Sequence, residues 1–284
     1  MKKYIILAES GGDVPKDLID KYGIYTVPMH VSFGDVTKDD GTFPVTDIFE
    51  YYENTKQLPQ TAGTNMYDFE QVYDKIHAEH PESTILYLAY SAVTTVSYQC
   101  GLNAMEDRDY IVAFDTKFAS AGQAFVIEKV AEFIEANESA SVDDIINYAT
   151  EIRSRTHMGF FPGDLEYLRA GGRVSNAAYL GAKILSLNPL IEIDDGYLIA
   201  KKKYRGKLAK VSKKLIKDFT EEHNLCKDYV MLIFSPRLPE DLKAELMEYT
   251  KSLGFEKVRW VQTGSVVSTH SGPAAFGITG MSEK

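Results

Sequence analysis

No stretch of this 284-residue chain approaches the roughly 18 consecutive apolar residues that a membrane-spanning helix requires, so no integral membrane segment is expected. Cysteine is scarce. Cys100 and Cys226 lack a CxxC or Cys/His neighbourhood and read as small apolar residues. Positive charge is in deficit: 31 Lys+Arg against 41 Asp+Glu leave a formal net charge of −10, which argues against general nucleic-acid affinity. A GxSxG elbow, a GxxxxGK[ST] phosphate loop, a GxGxxG fingerprint, HExxH and clustered metal ligands are all missing. We therefore expect no catalytic residue, metal or cofactor of those kinds. The N-terminal MKKYIILAESGG has too short an apolar run for a signal peptide, and the expected location is the cytoplasm.

The chain does carry a regular alternation of strand-like and helix-like segments. Residues 4–8, 24–33, 84–89 and 110–114 read as strands. Residues 15–23, 45–56, 66–80, 94–107 and 120–136 read as helices, so the first half is expected to fold as βαβ units around a mainly parallel sheet. After a helix over 142–156 the pattern changes. Asp195-Gly196 between 191–194 and 197–203 is a hairpin signal, which brings an antiparallel element into a second, mixed sheet. The expectation is two α/β domains, 1–155 and 156–284, closely packed with a cleft between them, because no low-complexity linker separates them.

One stretch, 164–193, makes unusual backbone demands. It joins an acidic helix start, Gly171-Gly172-Arg173, an apolar helix near 176–186 and a Pro189-punctuated strand. Two readings fit Arg173: a surface residue after a helix cap, or a guanidinium placed to meet a carboxylate or phosphate. Hydroxyl-rich and Gly-rich loops follow several strands: 9–13, 60–64, 91–97 and 269–272. In an open α/β sheet such loops gather at the carboxyl edge, where helix N-termini can hold an anion. Ser91, Thr94 and Thr95 could hold a carboxylate or phosphate together, or simply cap the following helix. The segment 264–277 reads as a strand entering a small-residue loop, in which His270 is either solvated or part of a site. Lys201, Lys202, Lys203, Arg205, Lys207, Lys210, Lys213, Lys214 and Lys217 crowd one span, as a solvated face or as a docking surface for an acidic partner.

The segments DLEYLRAGGRVSNAAYLGAKILSLNPLIEIDDG (164–196), FDTKFASAGQ (114–123), SYQCGLNA (97–104) and STHSGPAAFGI (268–278) resemble the DegV family of bacterial lipid-binding proteins, in order and across nearly the whole chain. The resemblance implies a two-domain α/β protein that encloses a long-chain fatty acid, with its tail in an apolar tunnel and its carboxylate at the domain junction. It also implies a partner, a separate ATP-dependent fatty-acid kinase that makes acyl phosphate for phospholipid synthesis. By position, Thr61 matches a carboxylate-binding threonine and His270 the histidine at the mouth. Arg173 and Arg205 match positions facing the kinase or its phosphate, while Glu9, Ser10, Ser271 and Gly272 fall along the cleft.

The resemblance is incomplete at two loops. Glu9-Ser10-Gly11-Gly12-Asp13 replaces the family's Asp-Ser-Thr-Ser-Asp, and Ala92 stands where a carboxylate-binding serine is usual. Val93 and Val96 add bulk where glycine is usual. Losing one hydroxyl costs roughly 1 kcal/mol of head-group binding, so the carboxylate is held differently or the ligand differs. The readings left open are a stand-alone transferase or hydrolase using Glu9, Arg173 and His270, and a regulatory binder of another amphiphile.

Overall fold

The structure is a computed structural model that describes residues 2–174 and 187–284; the apolar helix expected near 176–186 lies outside the described residues. In chain order the first half comprises β1 (Tyr4–Glu9), α1 (Lys16–Tyr22), β2 (Tyr25–Val27), β3 (His30–Phe33), β4 (Val36–Asp39), α2 (Thr46–Thr55), β5 (Gln60–Ala62), α3 (Met66–Glu79), β6 (Thr84–Ala89), α4 (Ser97–Ala104), β7 (Ile111–Asp115), α5 (Ser120–Ala136) and α6 (Val142–Arg155). The second half comprises β8 (Thr156–Phe161), α7 (Leu165–Gly171), β9 (Leu187–Asp194), β10 (Tyr197–Arg205), α8 (Leu208–Glu222), β11 (Leu225–Phe234), α9 (Glu240–Ser252), β12 (Lys257–Gln262), α10 (Ser265–Ser271) and β13 (Phe276–Ser282).

The expected α/β architecture, with one parallel and one mixed sheet, is present. Strands β2-β1-β6-β7 form a wholly parallel sheet, and β10-β9-β8-β13-β11-β12 a mixed one. Every residue of β1, YIILAE, is buried, the signature of a central parallel strand covered on both faces. Helix α5 supplies much of that cover. Eleven of its residues are buried, from Ser120 to Ala131, and its Phe125 stacks on Tyr229 of β11 at 5.5 Å. The two sheets thus share one core, in which Leu86, Leu88, Phe125, Val126, Met158 and Met231 meet. A helix apolar all round fits only between two such surfaces.

Three local outcomes differ from the sequence expectation. Residues 24–33 form two strands in different sheets, because Pro28 interrupts the run; β3 joins the antiparallel sheet β4-β3-β5. Residues 60–62, expected as loop, are the third strand of that sheet, so Thr61 pairs with Val31. The segment expected as a strand at 264 is instead α10. Two carboxylates from the first half fix its start, with Gly264 N–H donating to Asp13 Oδ1 at 2.7 Å and Ser265 N–H to Asp40 Oδ1 at 2.8 Å. The Val266-Val267 pair favours a strand locally, and these tertiary bonds override it.

The turn after β8 locks α7 to α10. Gly163 N–H donates to Ser271 O at 2.7 Å, and a Cβ at Gly163 would fall on the backbone of Pro273. Backbone cannot rotate away as a side chain can. Gly163→Ala is therefore expected to cost about 3 kcal/mol or more, read as a lowered Tm in thermal circular dichroism; an unchanged Tm would mean that this turn is not locked.

Candidate functional site

The carboxyl edge of the parallel sheet faces the mixed sheet across a cavity. Its wall takes Tyr90, Thr94 and Thr95 from the loop after β6, and Ala119 and Ser120 from the start of α5. Phe160, Ile193, Leu198, Ile233 and Phe276 come from the mixed sheet; Met29, Thr61, Ala62 and Gly63 from the small sheet and its edges; and Val266, Val267, His270 and Ser271 from α10. The cavity holds about 850 Å³ of empty space, mouth included. Most of its lining is apolar.

Where the cavity adjoins an outer groove, Thr61 Oγ1 and His270 Nε2 lie 2.8 Å apart, joining residues that are 209 apart in the chain. Burial and then the neighbouring Arg173 push the His270 imidazole down to about 4, so it is neutral near pH 7. A proton on Nε2 would be donated to Thr61 Oγ1, leaving the threonine O–H to donate to a ligand; a proton on Nδ1 reverses the bond. His270 Nδ1 is buried with no partner among the described residues, pressed against Gly171, where a Cβ would collide with the ring. The first glycine of Gly171-Gly172 is thus required by close approach. The second, at φ 64°, is the left-handed cap of α7. Arg173 is exposed, and its Nη1 donates to Gly171 O at 2.6 Å. Thr61, Arg173 and His270 also line a second, outer groove with Leu58, Pro59, Tyr167 and Thr269, so these three form the partition between cavity and outside.

The remaining expected site residues fall in distinct places. Thr94 and Thr95 line the cavity, but Thr94 Oγ1 donates to Ser91 O at 3.0 Å and Thr95 Oγ1 bonds Ser97 Oγ at 3.0 Å. Ser91 is buried behind the wall, donating to Gly196 O at 2.8 Å, and Ala92 N–H donates to Asp115 Oδ1 at 3.4 Å. Glu9 is fully buried between Tyr87 Oη, Tyr90 N–H and Gln123 Nε2; burial raises its carboxyl above the ordinary value despite those three donors. Ser10 Oγ accepts from Met29 N–H, and Gly272 O accepts from Ser235 Oγ. Ser271 lines the cavity. Arg205 does not approach Arg173. It sits in a separate exposed groove with Lys202, Lys203, Lys210 and Lys214. Leu198, which bridges to Val174, is seven residues away along β10, roughly 20 Å of strand. Sequence reasoning missed Ser120, Thr263 and Tyr90 on the wall; Ser120 alone carried a signal, inside the FDTKFASAGQ match.

No group of three or more His, Cys, Asp or Glu among the described residues is arranged to hold a metal ion, and no described helix is long and apolar enough to cross a membrane.

A two-domain α/β protein with an apolar cavity between its sheets and a polar partition at one end is the class defined by this architecture. The chain belongs to the DegV family: the family model described as "Uncharacterised protein, DegV family" matches residues 3–283. A DegV domain-containing protein of Clostridium acetobutylicum is 25% identical over 300 residues, covering 100% of both chains. Among solved structures, the one described as fatty acid binding of a DegV family protein from Thermus thermophilus superposes with a TM-score of 0.88 at 24% identity, over 99% of this chain and 100% of that one. A stearic acid-binding protein from Eubacterium ventriosum gives 0.82 at 21% identity, over 99% and 98%.

The depressed imidazole has a testable consequence. His270 and His157 are both pushed down to about 4, His157 by burial and then by the adjacent His223. Unfolded histidine titrates near 6.5, so between about pH 6.5 and 4 the unfolded chain binds more protons and stability falls as pH falls. Each histidine adds up to one proton to the slope, about 1.4 kcal/mol per pH unit. Chemical denaturation between pH 4 and 7 is expected to show a shallower slope for His270→Gln than for the parent; identical slopes would mean that His270 is protonated in the fold.

Proposed function

We propose that the cavity binds a long-chain fatty acid, tail among Met158, Phe160, Leu198 and Ile233 and carboxylate at the Thr61–His270 end. The observation that carries this is a mostly apolar enclosure whose boundary with the outer groove is polar, formed by Thr61 with a neutral histidine and a nearby arginine. The fatty-acid ligands of the Thermus and Eubacterium relatives support it. Burial of each methylene is worth about 0.8 kcal/mol, so a tail of about 14 methylenes brings roughly 11 kcal/mol before ordering costs, while one head-group hydrogen bond brings about 1. The tail provides affinity and the head group orientation.

The finer reading is that the protein is a non-enzymatic carrier in the cytoplasm that presents the carboxylate to a separate fatty-acid kinase. The carboxylate would lie against Thr61 and His270, one partition away from the outer groove where Arg173 is exposed. The basic groove around Arg205 would be a second contact for an acidic partner. The competing reading, a stand-alone transferase or hydrolase, needs Glu9 at the reacting centre, whereas its carboxylate is held by Tyr87, Tyr90 and Gln123 behind the wall.

Calorimetric titration with saturated fatty acids should show affinity falling about tenfold for each two methylenes removed, against about fivefold for Thr61→Val. No dependence on chain length would remove the fatty-acid reading. With a cognate kinase, His270→Ala is expected to lower acyl-phosphate formation more than lipid retention; an equal loss of both would contradict its place at the partition.

A further inference from the structure

The hydroxyls of the cavity wall are nearly all in use. Thr61 is bonded to His270, Thr94 to Ser91 O, Thr95 to Ser97, Ser120 to Asp13, and Thr263 to Ser268. Tyr90 differs. Its backbone N–H donates to Glu9 Oε2 at 2.9 Å, but its phenolic O–H has no protein partner among the described residues, although the residue lines the cavity. The residue is part-buried and its hydroxyl is not one of the buried polar atoms left without a partner, so the O–H stays accessible to a ligand rather than sealed in apolar packing.

The position of Tyr90 narrows what could satisfy it. Its ring packs over Gly11 and Met29, where a Cβ on Gly11 would approach Tyr90 Cε2 to 3.2 Å. It packs, part-buried, against the cluster of Met29, Val31 and Val266. Val31 is the cross-strand partner of Thr61, and Val266 lies four residues before His270 on α10, one helical turn or about 6 Å. Tyr90 and the Thr61–His270 pair thus pack on shared neighbours and line the same cavity. Burial, with Asp13 and Glu9 close by, raises its phenol well above the ordinary value, so it remains a donor throughout the physiological range.

We infer that Tyr90 is a head-group residue: its O–H donates a hydrogen bond to a carboxylate oxygen of the bound fatty acid. The inference rests on the fatty-acid reading and deepens it. It also answers the departure at Ala92, where this chain lacks a hydroxyl; the neighbouring position supplies one on a longer side chain.

Tyr90→Phe removes one oxygen and keeps the ring that packs on Gly11 and Met29, so an unchanged thermal midpoint is expected. Palmitic acid labelled with ¹³C at the carboxyl is the probe, with binding followed by calorimetry and the carboxyl resonance by NMR across pH. The expected result is a loss of affinity of about five- to tenfold, a displaced carboxyl resonance, and an apparent carboxyl pKa moved upward because a donor to the charged form is gone. Equal affinity with an unmoved resonance and pKa overturns the assignment while leaving fatty-acid binding intact. Failure of the unsubstituted protein to take up palmitic acid overturns the fatty-acid reading, and the assignment with it.

Discussion

The architecture turns on a histidine kept uncharged by burial. A charged imidazole at position 270 would need water or a carboxylate, and either would open the polar end of the cavity. Held neutral, it meets Thr61 across the junction between the small sheet and α10, and closes the partition between the apolar interior and the outer groove. The same bond ties together segments from opposite ends of the chain. Two further contacts hold α10 in register for it: Asp13 and Asp40, both from the first half, accept the Gly264 and Ser265 amides at its start. The helix that carries His270 is positioned by residues more than 220 away in sequence.

The wall then divides its labour. Most hydroxyls that face the cavity are occupied in holding loops: Thr94 and Thr95 fold the turn after β6, and Ser120 bonds Asp13 at the start of α5. Such occupied groups shape the cavity without offering it a strong donor. What is left for a ligand is Thr61, whose direction the histidine tautomer sets, together with Tyr90 and the positive field of Arg173. An anionic head group with a long apolar tail matches that distribution. On the reading proposed above, the carboxylate of a fatty acid would take up those donors and so set which end of the ligand faces the mouth.

Much of this was legible in the chain. The alternation of periodicities gave the two kinds of sheet, and Asp195-Gly196 marks the β9–β10 hairpin with φ of 46° and 88° at its two turn residues. The motif segments identified the family, and the family pointed to Thr61 and His270. What was not legible was decided by tertiary contact. Gln60–Ala62 is polar and follows a proline, so nothing local marks it as a strand; only pairing with β3 makes it one. Val266 and Val267 suggest a strand, and two distant carboxylates make the segment a helix. Ser91 looked like a ligand donor but bonds the hairpin turn at Gly196, whereas Tyr90 beside it, which no motif singled out, lines the cavity. Adjacent residues in a loop can exchange roles through a single rotation of the backbone.

The central claim is an orientation: tail enclosed, carboxylate at the partition. A crystal structure of the protein loaded with a saturated long-chain fatty acid tests it most directly. The account predicts density for the tail among Met158, Phe160 and Ile233, and a carboxylate oxygen within hydrogen-bond reach of Thr61 Oγ1 and Tyr90 Oη. A carboxylate out of reach of both Thr61 and Tyr90, or a ligand lying wholly in the outer groove, would contradict it.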